Sequence, residues 1–138
     1  MNELPRGLSN WYTITQQQID QFADATYDHQ YLHVDREKAA AGPFGKTIAH
    51  GFLYLSMVSH MMLDDLLAII GEGTVLNYGV NRLRFVSPVT VDSRIRLHWQ
   101  VTSTETQGEG TRYTVDLLME IEGSDKPAMA AEWLLYIL

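Results

Sequence analysis

An abrupt change of hydrophobic period constrains this chain more than any other feature. From Gly51 to Ile70 the residues are apolar nearly all round, which predicts a helix buried in the middle of a domain, ended by Gly71 and Gly73. Beyond it the period falls to two. Ile95, Leu97, Trp99 and Val101 alternate with Arg94, Arg96, His98 and Gln100, and Tyr113, Val115, Leu117, Met119 and Ile121 alternate with Arg112, Thr114, Asp116 and Glu120. Those are half-buried strands. Segments 76–86 and 128–138 supply two more, and turn chemistry stands at 88–92, 107–110 and 123–127. Helices followed by an antiparallel meander imply an α+β arrangement in which a curved sheet wraps around one long central helix.

The helices upstream have legible ends. Thr15 with Gln18 makes a capping box, Ile14 and Ile19 stand as a hydrophobic staple, and the first helix should end near Tyr27. Residues 28–34 show no sustained period and are expected to form a loop. Asp35 can cap a short helix over 36–41, stopped by Gly42 and Pro43, and a second loop leads to His50-Gly51. The last strand carries apolar residues on both faces, Met129, Trp133, Leu135 and Ile137 against Ala128, Ala130, Leu134 and Tyr136, so a second subunit is expected to cover part of the sheet.

A chain of 138 residues suits one domain, 1–138. Its net charge of -7 argues against a nucleic-acid backbone as the main partner, and an anionic ligand must find a local basic patch. Without cysteine there is no disulfide, thiolate nucleophile or cysteine metal site. Residues 1–6 lack the apolar core of a secretory signal, and Ser56, Ser59, His60, Asp64 and Asp65 interrupt the long apolar segment, so a cytoplasmic protein with no membrane partner is expected.

Two stretches carry chemistry: Phe22-Ala23-Asp24-Ala25-Thr26-Tyr27-Asp28-His29-Gln30-Tyr31-Leu32-His33-Val34-Asp35, and Ala39 to Leu53 with Pro43-Phe44-Gly45 and Ala49-His50-Gly51 inside it. Together with Asn77 to Val89 and Ala131-Glu132-Trp133, they resemble the MaoC-like dehydratases, the family of the (R)-specific enoyl-CoA hydratases and the nodulation-protein-N-like proteins. The resemblance covers nearly the whole chain. It implies a hot-dog fold, a homodimer or a higher assembly, and a hydro-lyase of fatty acid metabolism. The implied reaction is reversible hydration of trans-2-enoyl-CoA to (R)-3-hydroxyacyl-CoA, with no cofactor, coenzyme A being part of the acyl-CoA substrate.

Asp28 and His33 match the family's catalytic pair. Adding water to a conjugated double bond needs a base for water and an acid for the alpha carbon, and a carboxylate and an imidazole holding one water can serve as both. Gly51, at the start of the long helix, is implied as the backbone donor to the thioester oxygen; the alternative is a glycine packed closely against a strand. Tyr27, Tyr31, His50 and Ser56 are expected to contact the substrate. Arg82 and Arg84 are candidates for the coenzyme A phosphates, like Arg94 and Arg96, the alternative being a solvated strand face. Met61 and Met62 read as core. His29 and His33 lack a third ligand, and no metal is expected. The chain departs from the wider hydratase motif Gly-Asp-x-Asn-Pro-x-His at Gln30, Tyr31 and, most consequentially, Tyr27, which replaces a glycine free to hold a positive φ. A non-catalytic acyl-CoA-binding homologue and an acyl-CoA thioesterase are the competing readings.

Overall fold

A computed structural model describes residues 3–138; Met1 and Asn2, which open the N-terminal segment read above, lie outside the described residues. Eleven elements follow in order: β1 Arg6–Leu8, β2 Tyr12–Thr13, α1 Gln16–Thr26, α2 Tyr31–Val34, α3 Arg36–Ala40, α4 Gly51–Ser56, α5 Val58–Ile70, β3 Val75–Phe85, β4 Arg94–Gln107, β5 Gly110–Ile121 and β6 Met129–Ile137. The strands form one six-stranded sheet in the order β1-β4-β5-β6-β3, with β2 also on β4, and every pairing is antiparallel.

The meander is therefore β4-β5-β6, and β3 stands outside it. It pairs with the last strand, not with the one that follows it in sequence, so the chain crosses from one side of the sheet to the other between β3 and β4. The two N-terminal strands escaped the sequence reading because three and two residues are too few to display a period.

Alternation decides which side of the sheet is core. Ile95, Leu97, Val115, Leu117, Met119 and Leu135 point inward onto Leu53, Tyr54, Val58, Met61, Met62 and Leu66 of α4 and α5. These two helices run as one continuous rod, since the Met57 amide bonds Leu53 and the Met57 carbonyl accepts from Met61. The rod is not buried all round. Phe52 is 62% exposed and Ile69 58%, so its outer face meets solvent in the single chain. By length and composition Gly51–Ile70 could cross a membrane. Its packed inner face gives it the place of a core helix instead. Burial pushes the Tyr54 hydroxyl up to about 12.

The second face of β6 is half-buried within the chain itself. Tyr136 donates its hydroxyl proton to the Gln107 carbonyl at 2.7 Å and accepts from the Gly110 amide at 2.9 Å, pinning the β4–β5 turn. The open apolar surface lies instead along β3, where Leu76, Tyr78, Val80 and Phe85 are exposed on an edge strand.

Candidate active site

The site begins with how α1 is held. Thr15 caps it, accepting from the Gln18 amide at 3.1 Å, and both staple residues, Ile14 and Ile19, are fully buried. The reciprocal half of the capping box is missing, because the Gln18 side chain reaches Met57 Sδ at 3.5 Å. The helix stops where Tyr27 takes a left-handed conformation, φ 64° and ψ 19°, which turns the chain and delivers Asp28 at the start of the next segment.

That segment is not the plain loop expected. Tyr31–Val34 closes one helical turn, α2, and this turn orients His33. The His33 carbonyl accepts from Gln16 Nε2 at 2.7 Å, and Gln16 Oε1 accepts from the buried Thr47 hydroxyl at 2.6 Å. On the other side the Ile48 amide bonds the Leu32 carbonyl at 2.9 Å, and His33 Nδ1 donates to the Ile48 carbonyl at 2.7 Å. A carbonyl can only accept, so Nδ1 carries a proton, and it is Nε2 whose lone pair the neutral ring would offer. The ring is 8% exposed.

His50, the N-cap residue of α4, lies directly against this ring. The two imidazoles stack with centroids 3.7 Å apart and planes at 22°. His50 Nε2 donates to the Asp28 carbonyl at 2.9 Å and stands 4.0 Å from Asp28 Oδ2, so Asp28, His33 and His50 bring polar side-chain atoms within 4.8 Å of one another. A gap of that size is what one bridging water spans. The Asp28 carboxylate is 53% exposed and opens the cluster to solvent, whereas His50 is 3% exposed. Burial holds the His50 imidazole below its ordinary range, opposed by its bond to the Asp28 carbonyl.

Three ligand-type side chains this close could approach a metal ion by distance alone. One nitrogen of each ring is already committed to a carbonyl, which leaves one nitrogen per imidazole for any such ligation.

Gly51 opens α4, and no side chain caps that end, so its N–H belongs to the helix's unpaired first turn. A β-carbon on Gly51 would stand 2.8 Å from the Phe85 ring, so close packing against β3 also demands the glycine. Ser56 bonds back to the Phe52 carbonyl at 2.7 Å and lines a cavity of about 290 Å³ with Leu55, Ser59, Asn77, Val80 and Trp133.

The other expected contacts lie apart. The Tyr27 ring is 87% exposed, and Tyr31 is half-buried beneath Lys38 Nζ, 4.4 Å from the ring centroid. Arg82 pairs with Glu132, and Arg84 bonds the Leu83 carbonyl. Arg94 pairs with Glu122 at 3.0 Å and Arg96 with Glu120 at 2.8 Å, both over the Trp11 ring, an arrangement that braces the outer sheet. A concavity of about 740 Å³ crosses that outer face between Arg6, Arg82, His98 and Leu118 and contains none of the clustered residues. Convergence of reactive atoms, not volume, locates the site. Gln16, Thr47 and Phe22, whose ring packs on His50 at 4.9 Å, are its supports; Phe22 and Thr47 fall inside the motif stretches without a role read from them, and Gln16 lies outside those stretches.

A sheet curved around one helix, with an aspartate and a histidine meeting at the helix's N-terminus, defines a hot-dog protein of the dehydratase class. The family model described as "MaoC like domain" matches residues 2–121. The chain belongs to the MaoC-like dehydratase family, and with it to the hydro-lyases. It is 48% identical over 127 residues to 3-hydroxyacyl-thioester dehydratase Z of Mycobacterium tuberculosis strain H37Rv, covering 91% of this chain and 83% of that protein. It is 44% identical over 133 residues to nodulation protein N of Rhizobium leguminosarum bv. viciae, covering 95% and 83%. The structure of an (R)-hydratase from A. caviae involved in PHA biosynthesis superposes with a TM-score of 0.79 at 22% identity over 98% of this chain and 96% of that one, a likeness of fold.

Proposed function

We propose that this protein adds water reversibly to a trans-2-enoyl-CoA to give an (R)-3-hydroxyacyl-CoA. Hydration or dehydration of an acyl thioester is the reaction class its family carries; the unsaturated coenzyme A thioester and the roles below are our reading. The observation that carries it is the meeting of Asp28 and His33, one open to solvent and the other held at Nδ1 by the Ile48 carbonyl.

In the hydration direction His33 Nε2 takes a proton from water as its oxygen bonds C3. The electrons of the C2–C3 double bond move onto the thioester oxygen, and a proton returned to C2 from the Asp28–His33 pair restores the carbonyl and the pair's own proton count. Electrons neither enter nor leave, so no redox cofactor is required. Acid-base help of this kind contributes roughly 10²–10⁴-fold in rate. The Gly51 amide receives the developing oxygen charge, and one such donor is worth about 2.7–4 kcal/mol. In this reading the acyl chain takes the cavity beside Ser56, and Arg82 and Arg84 serve the phosphates. Tyr27 occupies the glycine's conformation and points to solvent, so it gives no reason to prefer a non-catalytic homologue.

We also propose a homodimer through the β3 edges, because a long apolar edge strand is an exposed pairing template. Sedimentation should give twice the chain mass; a monomer at micromolar concentration contradicts it.

Crotonyl-CoA tests the activity. Loss of conjugated absorbance with formation of the (R)-3-hydroxy product supports hydration. Binding without turnover would favour an acyl-CoA-binding protein, and release of free thiol a thioesterase.

A further inference from the structure

With Asp28 and His33 as the reacting pair, His50 is left buried beside them with no contact open to substrate. Its own geometry assigns a task. The Nε2–H donates to the Asp28 carbonyl at 2.9 Å, a shorter tie on that residue than the 3.4 Å contact between the Gln30 amide and Asp28 Oδ1. One face of the ring lies on His33, Phe22 packs against it at 4.9 Å, and the residue is also the N-cap of α4, one peptide before Gly51. A single imidazole therefore touches the segment carrying the acid, the ring of the base and the start of the helix that carries the amide.

We propose that His50 is a positioning residue that works as a neutral clamp, fixing the Asp28 main chain and the His33 ring to the N-terminus of α4. The proposal rests on the reading of Asp28 and His33 given above. Because Nε2 carries the proton toward the Asp28 carbonyl, Nδ1 keeps a lone pair, and Nδ1 is buried with no hydrogen-bond partner. A second proton there would create a buried donor without an acceptor, stacked on another imidazole. The titratable groups facing the ring are Asp28, His33 and His29; the two histidines and burial disfavour charge on it, and only Asp28 favours it. His50 thus stays neutral while His33 collects the proton of water. Histidine suits the place because it joins a flat stacking face to a donor at its tip, and misplacing a reacting group by about 1 Å can cost 10²-fold.

The test compares His50→Phe, which keeps the ring and loses the donor, with His50→Gln, which restores an N–H near the same point. With crotonyl-CoA, His50→Phe should lower kcat by about 10–100-fold while KM moves by less than about threefold, as expected when a supporting contact of a reacting group is lost. His50→Gln should recover most of that kcat. An unchanged kcat in His50→Phe, or a rise in KM alone, would overturn the proposal, the latter making His50 a substrate contact. If the Phe variant does not fold, by circular dichroism, the Gln variant and ¹⁵N-histidine spectra of the unaltered protein decide. A neutral His50 protonated at Nε2 near pH 7 supports the clamp, and an Nδ1-protonated or cationic ring overturns it. An unaltered protein that hydrates nothing, or an Asp28→Asn variant of full activity, would instead overturn the assignment of the pair.

Discussion

Tyr27 holds a left-handed conformation that costs a residue with a β-carbon roughly 1–2 kcal/mol, and its ring is 87% exposed, so little burial offsets that strain. Glycine would relieve it while losing more freedom on folding. Tyr27→Gly should therefore raise stability by up to about 1 kcal/mol, read from the urea midpoint at constant m; a loss would mean that the ring makes a contact worth more than the strain. At His50 the sign of the pH dependence follows from its lowered pKa. The unfolded chain protonates near the ordinary histidine value of 6.5 while the folded chain resists, so the unfolded state binds more protons, and stability falls as the pH drops from above 6.5. Thermal unfolding from pH 8 to pH 5 should show a larger loss in the unaltered protein than in His50→Gln; equal losses would contradict a buried neutral ring. Asp28 and His33 were legible because they stand five residues apart inside a motif. Gln16 was not, since its partners His33 and Thr47 lie 17 and 31 residues away and no local pattern announces them.

At the scale of elements, the meeting of α4 with β3 explains why residue 51 must be small. Gly51→Ala places a β-carbon 2.8 Å from the Phe85 ring, which is itself wedged edge-on against Phe52 and Tyr54. Overpacking of this kind costs about 1–3 kcal/mol. Trimming the obstacle in Gly51→Ala/Phe85→Leu should return part of that loss, and a strictly additive double mutant would show that the two residues do not press on each other. The long helix and the four main strands were readable because each runs for several periods. The place of β3 was not, since alternation reports which face is buried but says nothing of which neighbour a strand takes. The helix read as buried all round is covered on one side only, because an apolar outer face looks alike in sequence whether its cover comes from the same chain or another.

For the whole molecule, the uncovered apolar surface of the helix and the edge of β3 are what the proposed homodimer would cover. The acidic balance has a matching consequence. With a net charge of -7 the body would repel an anionic thioester, so under the proposed function capture would depend on local arginines, and Arg82 would reach a phosphate only by sharing or leaving Glu132. The proposed reaction depends on one arrangement, in which α1, α2 and the head of α4 place Asp28, His33 and Gly51 in one region of the fold. The most direct measurement is kcat for hydration of crotonyl-CoA by the unaltered protein, Asp28→Asn and His33→Ala, each confirmed folded. The account predicts turnover by the first and a fall of about 10²-fold or more in each variant. Turnover that survives both substitutions would contradict it.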